Sequence, residues 1–375
     1  MTSVEALRKM FLPKCSSQLI FVVGLFLGVF LSRDAQNLSA RALAVDSGAV
    51  DASRCNNIFE DESASRTKVS AFRLASTAGA LPPPMSALAF SFSQTTSRLL
   101  HLLAGTLVGT IFSEQVGSCG GGAGGCALGS ARPFDASARR GGHDWPVIGH
   151  TMVGELRLQN VREALEAAVR LRVPGDFAEL GVWRGGVCIY AKAILDELCE
   201  GRGSTSIAPA TTANRDVILF DVFDSMAGYG ANTDYLAVSE ALVRNAFEKY
   251  GVGTDGVVFV KGLFKDTLPE FRNQRIRAGG KPIAVLRIDG NYYDSHQDAL
   301  YYLYDFVPVD GIIIFDDYSH ELPRLSWDDF MADQKFFERV TPIEAPDSNG
   351  GWFVKTVDVK VDLSKMRAPR DCNKR

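Results

Sequence analysis

The sequence predicts an α/β protein with a Rossmann-like, doubly wound parallel sheet and helices on both faces. Five short apolar runs, beginning near residues 177, 217, 257, 284 and 312, have the length and the β-branched content of buried strands. Enough chain separates each run from the next for a crossover, and right-handed βαβ units are the economical way to join such strands into one sheet. Several runs end abruptly in aspartate, which predicts acidic side chains at one edge of the sheet.

The first predicted strand leads through a glycine-rich turn into a helical pattern. Glu179 precedes Gly181 by two residues, and Gly185 and Gly186 follow at the start of the predicted helix. A strand, a glycine turn and a helix N-terminus allow backbone amides to approach a ligand closely. The spacing G-x-x-x-G-G differs from the G-x-G-x-x-G of dinucleotide-binding folds and suits a nucleoside with a cationic sulfonium tail. The alternative is a glycine turn with no ligand.

The second strand supplies a further candidate binding residue. It ends at Asp221, where a carboxylate can accept hydrogen bonds from both hydroxyls of a ribose. The alternative for Asp221 is a helix-capping role. Its position after a strand next to the glycine turn favours a nucleoside site.

Acids also follow the fourth and fifth strands. Asp289 ends the fourth, and the adjacent Asp316 and Asp317 end the fifth. Because the carboxyl ends of parallel strands meet at one edge of a sheet, the three carboxylates are expected to lie together. Negative charges at such short distances repel each other unless a cation lies between them, and hard oxygen ligands suit Mg²⁺ or a similar ion. The alternative is that these acids only cap the helices that follow.

The segment from about residue 150 to 355 resembles the macrocin O-methyltransferase family, sugar-modifying enzymes that use S-adenosylmethionine and a divalent metal. It covers a little over half of the chain. The motifs that carry the resemblance are, in chain order, 150–154, 174–176, 179–186, 264–269, 284–290 and 315–318. Together these motifs are specific, although any one of them alone is not.

The resemblance assigns roles residue by residue. It implies that the cofactor is bound by Glu179, Gly181, Gly185, Gly186 and Asp221, and the metal by Asp289, Asp316 and Asp317. One departure stands out, because the family usually has a second acid where this chain has Asn291. A lysine base of the catechol-methyltransferase type is also absent, since Tyr292 occupies its place.

The implied reaction is methyl transfer to a hydroxyl group. A hydroxyl is a poor nucleophile near neutral pH, and a divalent cation stabilises its alkoxide form. The sulfonium methyl is already activated, so the protein mainly has to align the reacting atoms and exclude water. Asp289 can serve as both ligand and proton acceptor. His320 is an alternative base because imidazole titrates near the working pH, although an exposed loop histidine explains it equally well.

The first 34 residues predict an N-terminal signal anchor or signal peptide. Arg8, Lys9 and Lys14 precede an apolar run at residues 19–31. The basic cluster favours a cytosolic N-terminus, and hence a single-pass membrane protein with its catalytic domain in a lumen of the endoplasmic-reticulum or Golgi type. A cleaved signal on a secreted protein, or an organelle-targeting leader, is the alternative.

Three further segments complete the predicted organisation. Residues 35–142 are rich in Ala, Ser and Gly and resemble a low-order stem or linker. Within it, an apolar segment near 99–112 can lie on a membrane surface, pack on the catalytic domain or belong to a targeting leader. The methyltransferase domain is expected at 143–360, followed by a polar tail at 361–375.

Composition narrows the range of functions. The formal net charge of −4 gives no sign of nucleic-acid binding, and the seven cysteines show no C-x-x-C zinc spacing. The expected partners are a small-molecule or glycan hydroxyl acceptor and, through the N-terminal segment, a membrane. The sequence leaves the oligomeric state open. Two rival functions remain, a catalytically impaired, membrane-tethered binding protein and an NAD-dependent oxidoreductase on a similar fold.

Overall fold

The computed structural model describes residues 84–89, 92–112, 116–118, 127–198, 215–224, 236–337, 340–343, 347 and 349–368. Its strands are β1 (Val116–Ser118), β2 (Ala127–Arg132), β3 (Trp145–Pro146), β4 (Asp176–Leu180), β5 (Val217–Asp221), β6 (Val257–Lys261), β7 (Ile283–Ile288), β8 (Ile312–Phe315), β9 (Thr341–Pro342) and β10 (Gly351–Val354). Its α-helices are α1 (Gln94–Val108), α2 (Ala136–Gly141), α3 (Glu155–Arg170), α4 (Gly186–Glu197), α5 (Glu240–Lys249), α6 (Phe264–Arg277), α7 (Tyr293–Leu303) and α8 (Glu321–Gln334).

A seven-stranded mixed sheet organises the described residues, in the order β6-β5-β4-β7-β8-β10-β9. Strands β4 to β8 pair in parallel, which confirms the five predicted strands, whereas β10 runs antiparallel to both β8 and β9. The chain builds outward from β4 to β6 and then returns to place β7 on the other side of β4. This reversal creates a topological switch point, where ligands of open α/β sheets bind beyond the carboxyl ends of the strands.

Helices cover both faces of the sheet, as predicted. Side chains alternate along each strand, so Phe177 and Val285 join the apolar cluster that also holds residues of α3, α4 and α5. Leu286 and Ile288 point the other way, into the cluster that holds residues of α6, α7 and α8. Burial on both faces explains why the strands are continuous apolar runs rather than alternating ones.

Helix α1 belongs to the apolar segment near 99–112 and packs on the domain. Leu100, Leu107 and Val108 are fully buried in the same cluster as α3 and α4. The Thr96 hydroxyl donates to the Glu197 carboxylate at 3.2 Å, which joins the start of α1 to the end of α4. Of the three alternatives for this segment, packing on the domain is the one the structure shows.

The chain beyond residue 360 also lies against the domain as far as it is described. Val361 is buried, and the Tyr301 hydroxyl donates to the backbone oxygen of Lys365 at 2.9 Å. Arg367 forms ion pairs with Asp329 and Asp333 of α8, each at 2.6 Å. The segment therefore stays attached to α8 up to this arginine.

The predicted N-terminal membrane segment is not supported. Among the described residues, no helix combines the length and the hydropathy that a bilayer crossing requires. The predicted anchor or signal at 1–34, with its apolar run at 19–31, lies outside the described residues.

Candidate active site

The turn between β4 and α4 needs glycine for close packing. Gly181 has φ +90°, and a Cβ atom on it would lie 2.1 Å from the backbone oxygen of Asp289. Gly185 has φ +85°, and its Cβ would lie 2.7 Å from a methyl group of Val243. Left-handed backbone at these positions disfavours any other residue. The glycine loop is thus pressed directly against the loop that carries Asp289.

The segment around His150 packs against the N-terminus of α4. The Gly186 amide donates to the backbone oxygen of His150 at 2.9 Å, and a Cβ on Gly186 would lie 2.5 Å from that oxygen. Arg184 holds the same segment by donating to the backbone oxygens of Val147 and Gly149, at 2.8 and 2.9 Å. Dinucleotide folds place a pyrophosphate at this helix end. Here one amide of that helix end, that of Gly186, is already paired within the protein.

Asp221 shapes the glycine loop. Its carboxylate accepts hydrogen bonds from the amides of Val182 and Trp183, at 2.7 and 3.0 Å, and from the amide of Phe223 at 3.2 Å. Trp183 and Phe223 both have φ +49°, an uncommon conformation for large side chains that is often found at functional sites. Asp221 therefore binds loop amides rather than capping a helix, and its contact with a ribose stays a prediction.

Glu179 lies beneath this loop. Its side chain is 1% exposed, it forms an ion pair with Arg287, and it accepts a hydrogen bond from the Cys188 thiol at 2.6 Å. Burial raises the pKa of Glu179 to about 7, and the Arg287 charge opposes the shift. Because its partners are internal, the role of Glu179 in binding the cofactor also stays a prediction.

The structure brings the three predicted metal acids together. Asp289, Asp316 and Asp317 each offer a carboxylate oxygen within 4.8 Å of those of the other two. The strand register explains this, because Ile288 pairs with Phe315 and each of these residues is followed by an acid. The cluster borders the glycine loop, since the Asp289 amide donates to the Leu180 oxygen at 2.8 Å.

Negative charge is concentrated in this cluster. Burial and the neighbouring Asp316 raise the pKa of Asp289 to about 8 and that of Asp317 to about 7. Burial also acts to raise the pKa of Asp316, but the guanidinium groups of Arg157 and Arg287 outweigh it and lower this pKa. Burial is the larger cause of both shifts and the repulsion between like charges is the second, and a bound cation would favour the ionised carboxylates against both. The donor set of carboxylate oxygens therefore fits a hard divalent cation.

Two arginines of this site were missed from the sequence. Arg287 pairs with Glu179, Asp289 and Asp316, and its Nη1 lies 2.8 Å from the Asp289 carboxylate. Arg157, on α3, pairs with Asp316 at 2.5 Å. A charged residue inside the apolar run of β7 was an available signal for Arg287, whereas nothing near Arg157 in the sequence indicates its distant partner. A carboxylate oxygen has two lone pairs, so Asp316 can accept from both arginines and still ligate a cation.

The candidate bases differ in exposure. His320 is 57% exposed, immediately precedes α8, and has its Nδ1 atom 3.8 Å from the Asp317 carboxylate. Asp289 is 22% exposed within the cluster. Asn291 is exposed, so no carboxylate replaces the second acid of the family motif at that position. His296 is fully buried, which lowers its pKa to about 4, and its ring lies against Phe315.

Comparisons with known proteins agree with the fold and the motifs. Residues 125–355 match the family model described as Macrocin-O-methyltransferase (TylF). The chain is 35% identical over 223 residues to the 8-demethyl-8-(2,3-dimethoxy-alpha-L-rhamnosyl)-tetracenomycin-C 4'-O-methyltransferase of Streptomyces olivaceus, covering 56% of this chain and 78% of that protein. It is 36% identical over 189 residues to the mycinamicin III 3''-O-methyltransferase of Micromonospora griseorubida, covering 49% and 71%. The solved structure of the O-methyltransferase NovP aligns with this chain with a TM-score of 0.57 and 30% sequence identity. The alignment covers 70% of this chain and 100% of NovP.

These relatives correct the predicted localisation. A single-pass membrane protein with a luminal catalytic domain was expected, but the curated relatives are Streptomyces and Micromonospora enzymes. These bacteria have no endoplasmic-reticulum or Golgi lumen. The prediction of a luminal, membrane-anchored enzyme is therefore wrong. It relied on the basic residues and the apolar run at 19–31, and such a pattern is not by itself proof of a membrane segment.

Proposed function

The chain belongs to the macrocin-O-methyltransferase family and is an S-adenosylmethionine-dependent O-methyltransferase, and from this premise we propose that it methylates a sugar hydroxyl with the help of a divalent cation. The enzyme class predicted from the sequence is thereby confirmed, and the rival binding protein and oxidoreductase are not supported. The cation and the acceptor are the proposed parts.

The acid cluster carries the proposal for a cation. Asp289, Asp316 and Asp317 would hold the ion, since their carboxylate oxygens lie within 4.8 Å of one another at the edge of the sheet. When bound, a divalent cation lowers the pKa of a hydroxyl that it contacts and so makes it a better nucleophile. Capping of the following helices does not explain the cluster. No side-chain cap is formed at the start of α8, and at the start of α7 the Tyr292 amide donates to the Ser295 hydroxyl rather than to Asp289.

The protein's own residues have three tasks in this proposal. The glycine loop and Asp221 would bind the methyl donor, next to the loop of Asp289. Asp289 or His320 would accept the proton of the acceptor hydroxyl, on a carboxylate oxygen or on a ring nitrogen. Helix packing on both sides of the switch point would exclude water and keep donor and acceptor aligned.

A sugar is the proposed acceptor because of what the relatives act on. The Streptomyces olivaceus protein is named for a rhamnosyl compound methylated at a 4'-oxygen. Three relatives are O-methyltransferases named for different compounds. We therefore propose a class of acceptor, a hydroxyl of a sugar or glycoconjugate, rather than one compound.

The experiment is methyl transfer from labelled S-adenosylmethionine to a panel of methyl glycosides, with catechol as the phenolic comparison. We expect label on the glycosides, loss of transfer after exhaustive EDTA treatment, and recovery with Mg²⁺. Asp289→Asn should slow transfer by about 100-fold or more, the range for loss of a group that moves protons in the transition state. Full transfer by the EDTA-treated enzyme would refute the cation, and label on catechol alone would refute the sugar acceptor.

Asp310→Asn is the matched control. This residue precedes β8 at the opposite edge of the sheet from the acid cluster and has φ +69°, a conformation that asparagine tolerates. The same carboxylate-to-amide change there should leave methyl transfer unchanged.

A further inference from the structure

Arg157 is a buried arginine that joins four separate segments of the chain. From its place on α3, its guanidinium contacts the Asp316 carboxylate at 2.5 Å and the Asp347 carboxylate at 2.9 Å. Its Nη2 atom donates to the backbone oxygen of Gly142 at 3.3 Å. Its side chain is 7% exposed, so these contacts are made away from bulk water and are weakly screened.

The contact with Asp316 completes a clamp. Arg287 binds one oxygen of the Asp316 carboxylate and Arg157 binds the other. Arg287 also binds Asp289, so it fixes the two acids relative to each other across strands β7 and β8. Arg157 fixes the same carboxylate relative to α3. The orientation of Asp316 is therefore set from both sides by groups on different elements.

The contact with Asp347 extends the clamp to the turn before β10. Asp347 is fully buried, and its other oxygen accepts from the amides of Asn349 and Gly350 at 2.8 and 3.4 Å. A Cβ atom on Gly350 would lie 3.3 Å from the Arg157 Cδ atom, so the turn is packed directly on this side chain. One guanidinium thus ties this turn to the acid that ends β8.

We propose that Arg157 is a positioning residue for the acid cluster: it holds the Asp316 carboxylate in the orientation needed to ligate a divalent cation. The inference rests on the proposed function, since it assumes that the cluster binds a cation. In this proposal Arg157 contacts neither the methyl donor nor the acceptor, because its partners are Asp316, Asp347 and the Gly142 backbone. It acts through Asp316, in the way that outer-shell partners orient metal-binding carboxylates.

A positioning role and a role in charge alone predict opposite results. A positive charge beside the cluster repels a cation, so a guanidinium that acted only by its charge would weaken cation binding, and its removal would strengthen it. A lysine keeps the charge but is a single point donor, so it lacks the planar fork that reaches two carboxylates at once. Arg157→Lys therefore separates geometry from charge, and Arg157→Met removes both.

The test is calorimetric titration of the full chain with Mn²⁺, and separately with S-adenosylmethionine. For Arg157→Lys we expect Mn²⁺ affinity to fall by about 10- to 100-fold, the usual effect of losing an outer-shell partner. The affinity for S-adenosylmethionine should stay within about twofold of wild type, because the metal acts on the acceptor and not on the donor. In turnover, kcat should fall while the KM for S-adenosylmethionine stays unchanged.

Arg139→Lys is the matched control for folding. Arg139 is also a buried arginine, and it donates to the backbone oxygens of Asp144, Met152 and Val153, none of which belongs to the acid cluster. The Arg139→Lys substitution should lower the melting temperature and leave the Mn²⁺ affinity unchanged. Equal losses of Mn²⁺ affinity in the Arg139 and Arg157 variants would show a general structural effect and overturn the inference.

Three other outcomes also decide the matter. Wild-type Mn²⁺ affinity in Arg157→Lys would overturn the inference about Arg157 and leave the proposed cation site standing. Tighter Mn²⁺ binding by Arg157→Met than by wild type would show that the arginine competes with the cation, which also overturns it. Failure of the wild-type enzyme itself to bind Mn²⁺ would refute the cation in the proposed function, and with it the role given to Arg157.

Discussion

Replacing Gly181 by alanine should destabilise the protein through two separable effects. Its φ of +90° carries a cost for any residue with a Cβ atom of about 1–2 kcal/mol. The Cβ would also lie 2.1 Å from the Asp289 backbone oxygen, so one of the two loops must move, and such overpacking costs about 1–3 kcal/mol. The free energy of unfolding should therefore fall by about 2–5 kcal/mol, the range of these two effects together.

Gly251→Ala separates the two effects. Gly251 has φ +73°, but no atom lies within 4 Å of a Cβ built on it, so only the backbone cost applies. Urea denaturation of both variants, followed by circular dichroism, measures the difference. Equal destabilisation by Gly181→Ala and Gly251→Ala would refute the close approach between the glycine loop and the acid loop on which the site depends.

Three further predictions concern the donor site, the acid cluster and α1. Asp221→Ala should weaken S-adenosylmethionine binding by about 1.5–3 kcal/mol in a calorimetric titration, since it removes hydrogen bonds to a charged group; unchanged affinity would contradict the assignment. The raised pKa values of Asp289 and Asp317, about 8 and about 7, should make the cation-free protein less stable as pH rises from about 4 through 8. Denaturation with Mg²⁺ should show a smaller loss, and equal losses would count against the site. Leu100→Ala should lower the free energy of unfolding by about 2–5 kcal/mol, whereas an exposed helix would show almost no change.

Most of the parallel sheet and its acidic edge could be predicted from the sequence because their signals are local. Buried strands read as apolar runs, and the aspartates that end them mark the carboxyl edge of the sheet. The parallel direction of these strands also follows from the length of chain between them, which leaves room for crossovers. These rules placed Asp289 and Asp316 together before any distance was known.

The parts that escaped prediction depend on contacts between distant segments. Arg157 lies on an amphipathic helix and differs in no local way from a surface arginine, yet it reaches Asp316 and Asp347. The segment at 99–112 has the hydropathy of a buried helix or of a membrane-surface helix, and only its packing on α3 and α4 decides between them. Glu179 shows the same limit, because its internal partner Arg287 lies on another strand.

The most direct test of the cation site is anomalous diffraction from crystals grown with Mn²⁺ and S-adenosylmethionine. We predict one strong peak coordinated by carboxylate oxygens of Asp289, Asp316 and Asp317, with Arg157 and Arg287 still bound to Asp316. A crystal of active enzyme with no peak at this cluster, or with Mn²⁺ bound only elsewhere, would contradict the account.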